Sequence, residues 1–256
     1  GLPLSEIDTP ALWIDLDIMD RNIAHVAGEL AAHGVSWRPH AKGHKCPAVA
    51  HRQIAAGAIG VTVAKLGEAE VMAASGIRSI LIANQIVGPI KSRRLAALIA
   101  SSGAEVICAV DSLQNVRELD AAAHERGVRI PVVIEVNSGM NRAGVEPGEP
   151  VVELAREIVA CPNLRFMGVM AWEGHALSIA DDNDRRSEVT AAVGRLTASA
   201  DACREAGIPV EIVSCGGSGT YLTTGTLPGV TEVQAGGATL GDLFYRKFGS
   251  PVERAL

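Results

Sequence analysis

Lysine and arginine are in short supply and scattered. The 256-residue chain carries 23 of them against 29 Asp and Glu, a net charge of −6, which excludes a nucleic-acid-binding surface. No apolar run approaches the length of a bilayer span, and the opening GLPLSEIDTP has no signal-peptide core, so no membrane partner is expected. There is no C-x-x-C pair. Cys46, Cys108, Cys161, Cys203 and Cys215 are odd in number and widely spaced, and they read as reduced thiols buried as small hydrophobes in a cytoplasmic protein. The 27 Gly and 12 Pro follow no period, which excludes fibrous repeats, and no low-complexity linker interrupts the chain. Apolar residues are abundant at 48%, enough for a large core. A length of 256 suits one or two average domains, but single α/β barrels run to about 250 residues.

Short β-branched runs alternate with Ala-rich helical patterns throughout. The spacing predicts strands over 35–40, 59–64, 79–84, 105–110, 131–136, 165–171, 209–214 and 230–234. Several are continuous apolar stretches (ILIAN, VICAV, PVVIEV, FMGVMA), as parallel strands covered on both faces require. Between them, 18–33 sets Met19, Ile23, Val26 and Leu30 on one stripe, with Asp17 as N-cap and Gly34 past the end. Residues 185–206 repeat the pattern. Eight strand–helix units point to a (β/α)8 TIM barrel; the same alternation also builds a doubly wound open sheet. Residues 11–15 (ALWID) read as a further strand outside the ring.

In such barrels the active site lies at the C-terminal strand ends, and phosphates favour the loops after strands seven and eight. Strand seven is followed by Ser214-Cys215-Gly216-Gly217-Ser218-Gly219-Thr220 and strand eight by Ala235-Gly236-Gly237-Ala238-Thr239. Their bare N–H groups suit a phosphate; they equally suit tight turns that need glycine. The first strand ends in Arg38-Pro39-His40-Ala41-Lys42-Gly43-His44-Lys45. A lysine there, beside other positive charge, is placed to form a Schiff base with an aldehyde cofactor, or else Lys42 or Lys45 binds an anion or points to solvent. His40 and His44 four apart also suggest a zinc pair, but on a strand end that spacing does not put both rings on one face. Further polar groups at strand ends are Lys65, Asn84, Gln85, Asp111, Asn137–Arg142 and Trp172-Glu173-Gly174-His175. Asp111 is expected to cap the next helix, and Asp181, Asp182 and Asp184 to supply helix N-terminal charge.

Taken in order, R-P-H-A-K-x-H-K, G-x-x-x-x-K-x-G-E-A-E, N-S-G-M-N-R-A-G-V, W-E-G-H and C-G-G-S-G-T-Y resemble the D-threonine aldolase / D-serine dehydratase family. These are fold-type III pyridoxal-phosphate (PLP) enzymes related to the alanine racemase N-terminal barrel. The resemblance implies pyridoxal 5'-phosphate as cofactor, with Lys42 as the lysine that carries it and Arg142 near its phenolic oxygen. Gly216, Gly217, Ser218, Gly219, Gly236 and Gly237 then match the phosphate turns. His40 joins the cofactor-binding set, and Trp172 and His175 stand where ring- and substrate-facing groups are expected, His175 as a catalytic residue. The family's more usual Tyr is Trp172 here, and Gln234 sits near the place where racemases keep an arginine on the pyridine nitrogen.

The activity this implies is that of a lyase on small D-amino acids, first of all retro-aldol cleavage of D-threonine-like β-hydroxy-D-amino acids to glycine and an aldehyde. D-serine dehydration to pyruvate and ammonia is the alternative; a non-catalytic PLP-homeostasis protein and, less favoured, a racemase complete the set. In the family a divalent metal (Mn2+, Mg2+ or Zn2+) assists, held by a His and a Cys or Asp of a C-terminal β domain. The resemblance thus divides the chain into 1–17, the N-terminal strand of a β domain absent from this sequence, and 18–256, a PLP-binding barrel without metal ligands. A homodimer is expected on the same ground.

Overall fold

A computed structural model describes residues 3–256. Eight parallel strands carry the fold: β1 (Ser36–Trp37), β2 (Val61–Val63), β3 (Ser79–Gln85), β4 (Glu105–Val110), β5 (Ile130–Glu135), β6 (Leu164–Met170), β7 (Ile212–Cys215) and β8 (Glu232–Val233). From β2 to β8 each pairs with its neighbours in chain order, and β8 pairs with β1. The ring closes between β1 and β2 through main-chain bonds, Ala41 N–H to Thr62 O at 2.7 Å and Thr62 N–H to Pro39 O at 2.9 Å. An open doubly wound sheet would reverse its strand order; this one never does.

Helices α1 (Leu16–Ala32), α2 (Pro47–Ala55), α3 (Leu66–Ala74), α4 (Pro89–Ser102), α5 (Leu113–Arg126), α6 (Glu149–Ala160) and α7 (Asp182–Glu205) follow or precede the strands, with short α8 (Tyr221–Thr224) and α9 (Leu243–Arg246) near the end. None of them is long and apolar enough to cross a membrane. The stripe Met19, Ile23, Val26 and Leu30 of α1 is buried against the sheet. Its N-cap is Asp15, not Asp17: Asp15 is extended and its carboxylate accepts the Ile18 N–H at 3.0 Å, leaving Asp17 inside the first turn. Asp181 caps α7, with Asp182 and Asp184 in the first turn, where acids meet the positive helix end.

Two cores result. The larger lies between sheet and helices; the smaller fills the ring with Leu81, Ile107, Ala109, Val133, Met167, Met170 and Ile212. The ring floor is polar: Arg38 donates to both Glu232 oxygens at 3.0 Å and to Ser79 Oγ at 2.7 Å. A buried charge is tolerable only when paired and hydrogen-bonded, and Arg38 is both. All five cysteines are free.

Residues 11–15 form no strand. They run without a ladder partner, Leu12 and Trp13 mostly exposed, until Asp15 N–H meets Ala255 O at 2.8 Å. A β-rich composition does not make a strand where no neighbouring edge offers hydrogen bonds.

Candidate active site

The C-terminal strand ends surround a cavity of about 200 Å3. His40 and Lys42 reach it from β1, Arg142 from the loop after β5, and Trp172 from β6. Gly216, Gly217 and Ser218 line it after β7, and Gln234, Gly236 and Gly237 after β8. Of the residues expected there, only Gly219 and His175 fall outside the wall. Gly219 faces a neighbouring hollow of about 100 Å3.

One side of the cavity is main chain. A Cβ on Gly236 would lie 2.1 Å from His40 O, so that position admits no side chain, and one on Gly217 would lie 2.9 Å from the Trp172 indole nitrogen, so that ring would have to move. Gly216 adds a left-handed backbone at φ +79°. The N–H groups of Ser218, Gly219, Gly236 and Gly237 find no protein acceptor, whereas Ser218 Oγ accepts the Ala238 N–H at 2.9 Å and keeps its own proton to donate. Free donors converging with a hydroxyl make an anion cradle that fits a phosphate.

The other side is charged side chains. Lys42 Nζ lies 4.9 Å from the Trp172 ring centroid and Arg142 Cζ lies 5.3 Å from the same ring. Lys42 as a residue stays open to the mouth. Its amine is nonetheless held below the usual lysine range, by desolvation first and by the Arg142 charge second. His40 is pushed down to about 3 by burial and then by the Lys42 charge, so its ring is neutral at physiological pH. His40 Nδ1 accepts the Lys42 N–H at 3.3 Å. The competing lysine is engaged elsewhere: Lys45 Nζ donates to Lys42 O at 2.7 Å and sits 3.3 Å from Glu68.

Arg142 faces Glu135, 3.8 Å away, whose carboxyl is raised by burial and accepts from Gln85 at 2.6 Å. With the guanidinium half-exposed, a contact of that length contributes about 1 kcal/mol or less. It orients Arg142 but does not hold its loop. At the cavity floor, Gln234 Nε2 donates to the buried Ser214 Oγ at 2.8 Å. A neutral amide there cannot supply the charge of a carboxylate or an arginine.

His175 sits away from the mouth, its Nε2 bonded to Glu188 Oε1 at 2.9 Å. Lys65 is exposed, Asn84 donates to Ala64 O at 3.1 Å, and Ser112 rather than Asp111 caps α5. Asp111 instead accepts the Gly144 N–H at 3.2 Å, because one residue further on an extended backbone is needed to aim a hydroxyl at Asn115. His40 and His44 both use Nδ1 as acceptor for a main-chain N–H, and no group of three or more His, Cys, Asp or Glu able to hold a metal occurs among the described residues.

Two roles escaped sequence reasoning. Glu173 is buried, and its carboxylate accepts from Thr220 Oγ1 and Thr224 Oγ1, both at 2.7 Å, and from Gly216 N–H at 3.2 Å. It ties the β6 end to the turn after β7; an acid directly following an apolar strand was the available signal. Tyr245, with Asp242, lines the cavity and packs within 3.1–3.2 Å of where Cβ atoms on Gly237 and Gly219 would be. Its signal lay in composition: aromatics make up 3% of the chain, yet Phe244, Tyr245 and Phe248 cluster within five residues.

The family described as "Alanine racemase, N-terminal domain" matches residues 14–243. The chain is 37% identical over 246 residues to a 3-hydroxy-D-aspartate aldolase of Paracoccus denitrificans, covering 96% of this chain and 63% of that protein. It is 35% identical to a D-threonine aldolase of Arthrobacter sp, covering 96% of this chain and 64% of that one. The chain therefore spans less than two thirds of the length of these curated relatives. The solved structure of D-threonine aldolase from Filomicrobium marinum superposes with a TM-score of 0.95 at 38% identity, covering 100% of this chain and 69% of that one.

Proposed function

The chain belongs to the family of the alanine racemase N-terminal domain, and from that premise we propose that its mouth holds pyridoxal phosphate and serves a lyase acting on β-hydroxy-D-amino acids. The observation that carries the reading is the pairing, across one cavity, of a depressed lysine amine with a cradle of unpaired N–H donors. The names of the relatives, two aldolases of 3-hydroxy-D-aspartate and D-threonine, favour cleavage to glycine and an aldehyde; a related D-threo-3-hydroxyaspartate dehydratase of Delftia, 35% identical, keeps dehydration as the second reading.

When bound, pyridoxal phosphate supplies an electron sink for the pair left at the substrate's Cα as a bond there breaks. The protein's share follows from its residues. Ser218 and the N–H groups of Ser218, Gly219, Gly236 and Gly237 receive the phosphate. Lys42 Nζ, with its lowered proton affinity, is the amine that would hold the cofactor's aldehyde carbon, and it is a base at hand to take or return a proton. His40 stays neutral beside it and adds no repulsion. The Trp172 ring walls the cavity between Lys42 and Arg142, and Arg142 offers its fork to an oxygen anion. No step is assigned to a divalent metal, because the described residues do not form a set that fits one. A homodimer in the cytoplasm is the proposed setting, in keeping with five unpaired thiols.

The test is product analysis after PLP loading, with D-threonine, 3-hydroxy-D-aspartate and D-serine as substrates, each with and without Mn2+. Glycine plus aldehyde supports the aldolase, and keto acid plus ammonia the dehydratase. Bound cofactor with no product from any of them would favour a carrier, or a lyase that needs more of the chain than these 256 residues.

A further inference from the structure

The loop 137–144 carries Arg142 to the cavity, and its shape is imposed from outside the cavity. From α7, Arg195 donates twice to Ser138 O, from Nε at 2.9 Å and from Nη2 at 2.6 Å. Glu188 Oε1 accepts from Arg195 Nη2 at 2.7 Å and meets His175 Nε2 at 2.9 Å. Gly139, at φ +126°, lies against both: a Cβ there would sit 2.8 Å from His175 Nε2 and 2.9 Å from Arg195 Nη2. We propose that Arg195 and Glu188, with His175, are positioning residues that clamp this loop and so set where Arg142 stands, an inference that rests on reading the mouth as a pyridoxal-phosphate site.

Three further observations support it. The loop is bent into unfavourable backbone: Asn141, not a glycine, has φ +52° and is held there by Asn137, whose Oδ1 accepts its N–H at 3.0 Å and whose Nδ2 donates to its side chain at 2.9 Å. The Asn137 side chain holds the crest, and Arg195 holds the carbonyl of Ser138, the next residue along. Ser138 Oγ and His175 Nδ1 are both buried at this contact and have no protein partner. Finally, Glu188 is held below the usual carboxylate range by hydrogen bonds from His175 and Arg195, so the clamp stays charged through neutral pH. His175 thus acts on the site through Gly139 and Glu188 rather than by touching substrate.

Two readouts test this on the full chain. Trypsin cleavage after Arg142, followed by mass spectrometry without cofactor, reports loop release. PLP titration followed by visible absorbance reports the consequence. Arg195→Ala is expected to speed cleavage at Arg142 about tenfold relative to other sites and to weaken PLP binding about tenfold, with Arg195→Lys recovering part of both. In an Arg142→Ala background, Arg195→Ala is expected to cost nothing further in PLP affinity. Unchanged cleavage at Arg142, or additive losses in the double variant, overturns the clamp. If Arg195→Ala melts the fold, Glu188→Gln carries the same expectations with smaller changes. A parent chain that binds no PLP overturns the functional reading instead, while the cleavage comparison still decides the clamp.

Discussion

The two sides of the cavity mouth are built from different materials. After β7 and β8 the wall is main chain, held where glycines let strands and turns touch: the site for a Cβ on Gly236 is 2.1 Å from His40 O. After β1, β5 and β6 the wall is Lys42, Arg142 and Trp172, with both cations over the Trp172 ring and the Arg142 loop held at Ser138 by Arg195. Main chain pressed on main chain has no room to relax, so the first side should fail abruptly. Long side chains re-adjust, so the second should fail by degrees and respond to charge.

The largest expected effect is therefore a methyl group. Gly236→Ala should weaken PLP binding about a hundredfold and lower the melting temperature, since the added atom must push β8 away from β1. A mild effect would break the comparison. On the charged side, Arg142→Lys keeps the cation and loses the fork, and PLP titration should show only about a tenfold loss. Glu173 joins the two sides. Glu173→Gln leaves one oxygen for three donors and turns an N–H toward them, which should cost about 1–3 kcal/mol in denaturant unfolding, more than the same change at exposed Glu149.

The most gradual effect is in pH. Unfolded His40 takes a proton near 6.5, but the folded residue resists until about 3, so the unfolded state binds more protons in that window and stability falls as pH drops through it. His44, depressed to about 4 chiefly by burial, adds to the loss in the same direction. Melting temperature against pH for His40→Asn should show a shallower decline below pH 6.5 than the parent; an equal slope would place the acid sensitivity elsewhere.

The same contrast explains what could be read in advance. The apolar strands and the glycine turns are local patterns, so the barrel and the turns at its mouth were legible from short stretches of sequence, whereas the residues alone left Lys42 and Lys45 as alternatives. The two-residue error at the α1 cap came from two aspartates, Asp15 and Asp17, that compete for the same role in sequence and are separated only by backbone conformation. Residues 11–15 have strand composition, but pairing depends on an edge that no local pattern reports. The partners of the charged side were hidden for a related reason. Arg195 lies 57 residues from Ser138, and Glu188 lies 13 from His175; only the closure of the ring brings them together.

The central claim is that Lys42, rather than Lys45 or Lys65 at neighbouring strand ends, is the amine that holds the cofactor. Borohydride reduction of the PLP-loaded chain, followed by peptide mass spectrometry, tests it directly. A single pyridoxyl adduct on Lys42, lost in Lys42→Ala, is the predicted result. An adduct on Lys45 or Lys65, or an undiminished visible band in Lys42→Ala, would contradict it.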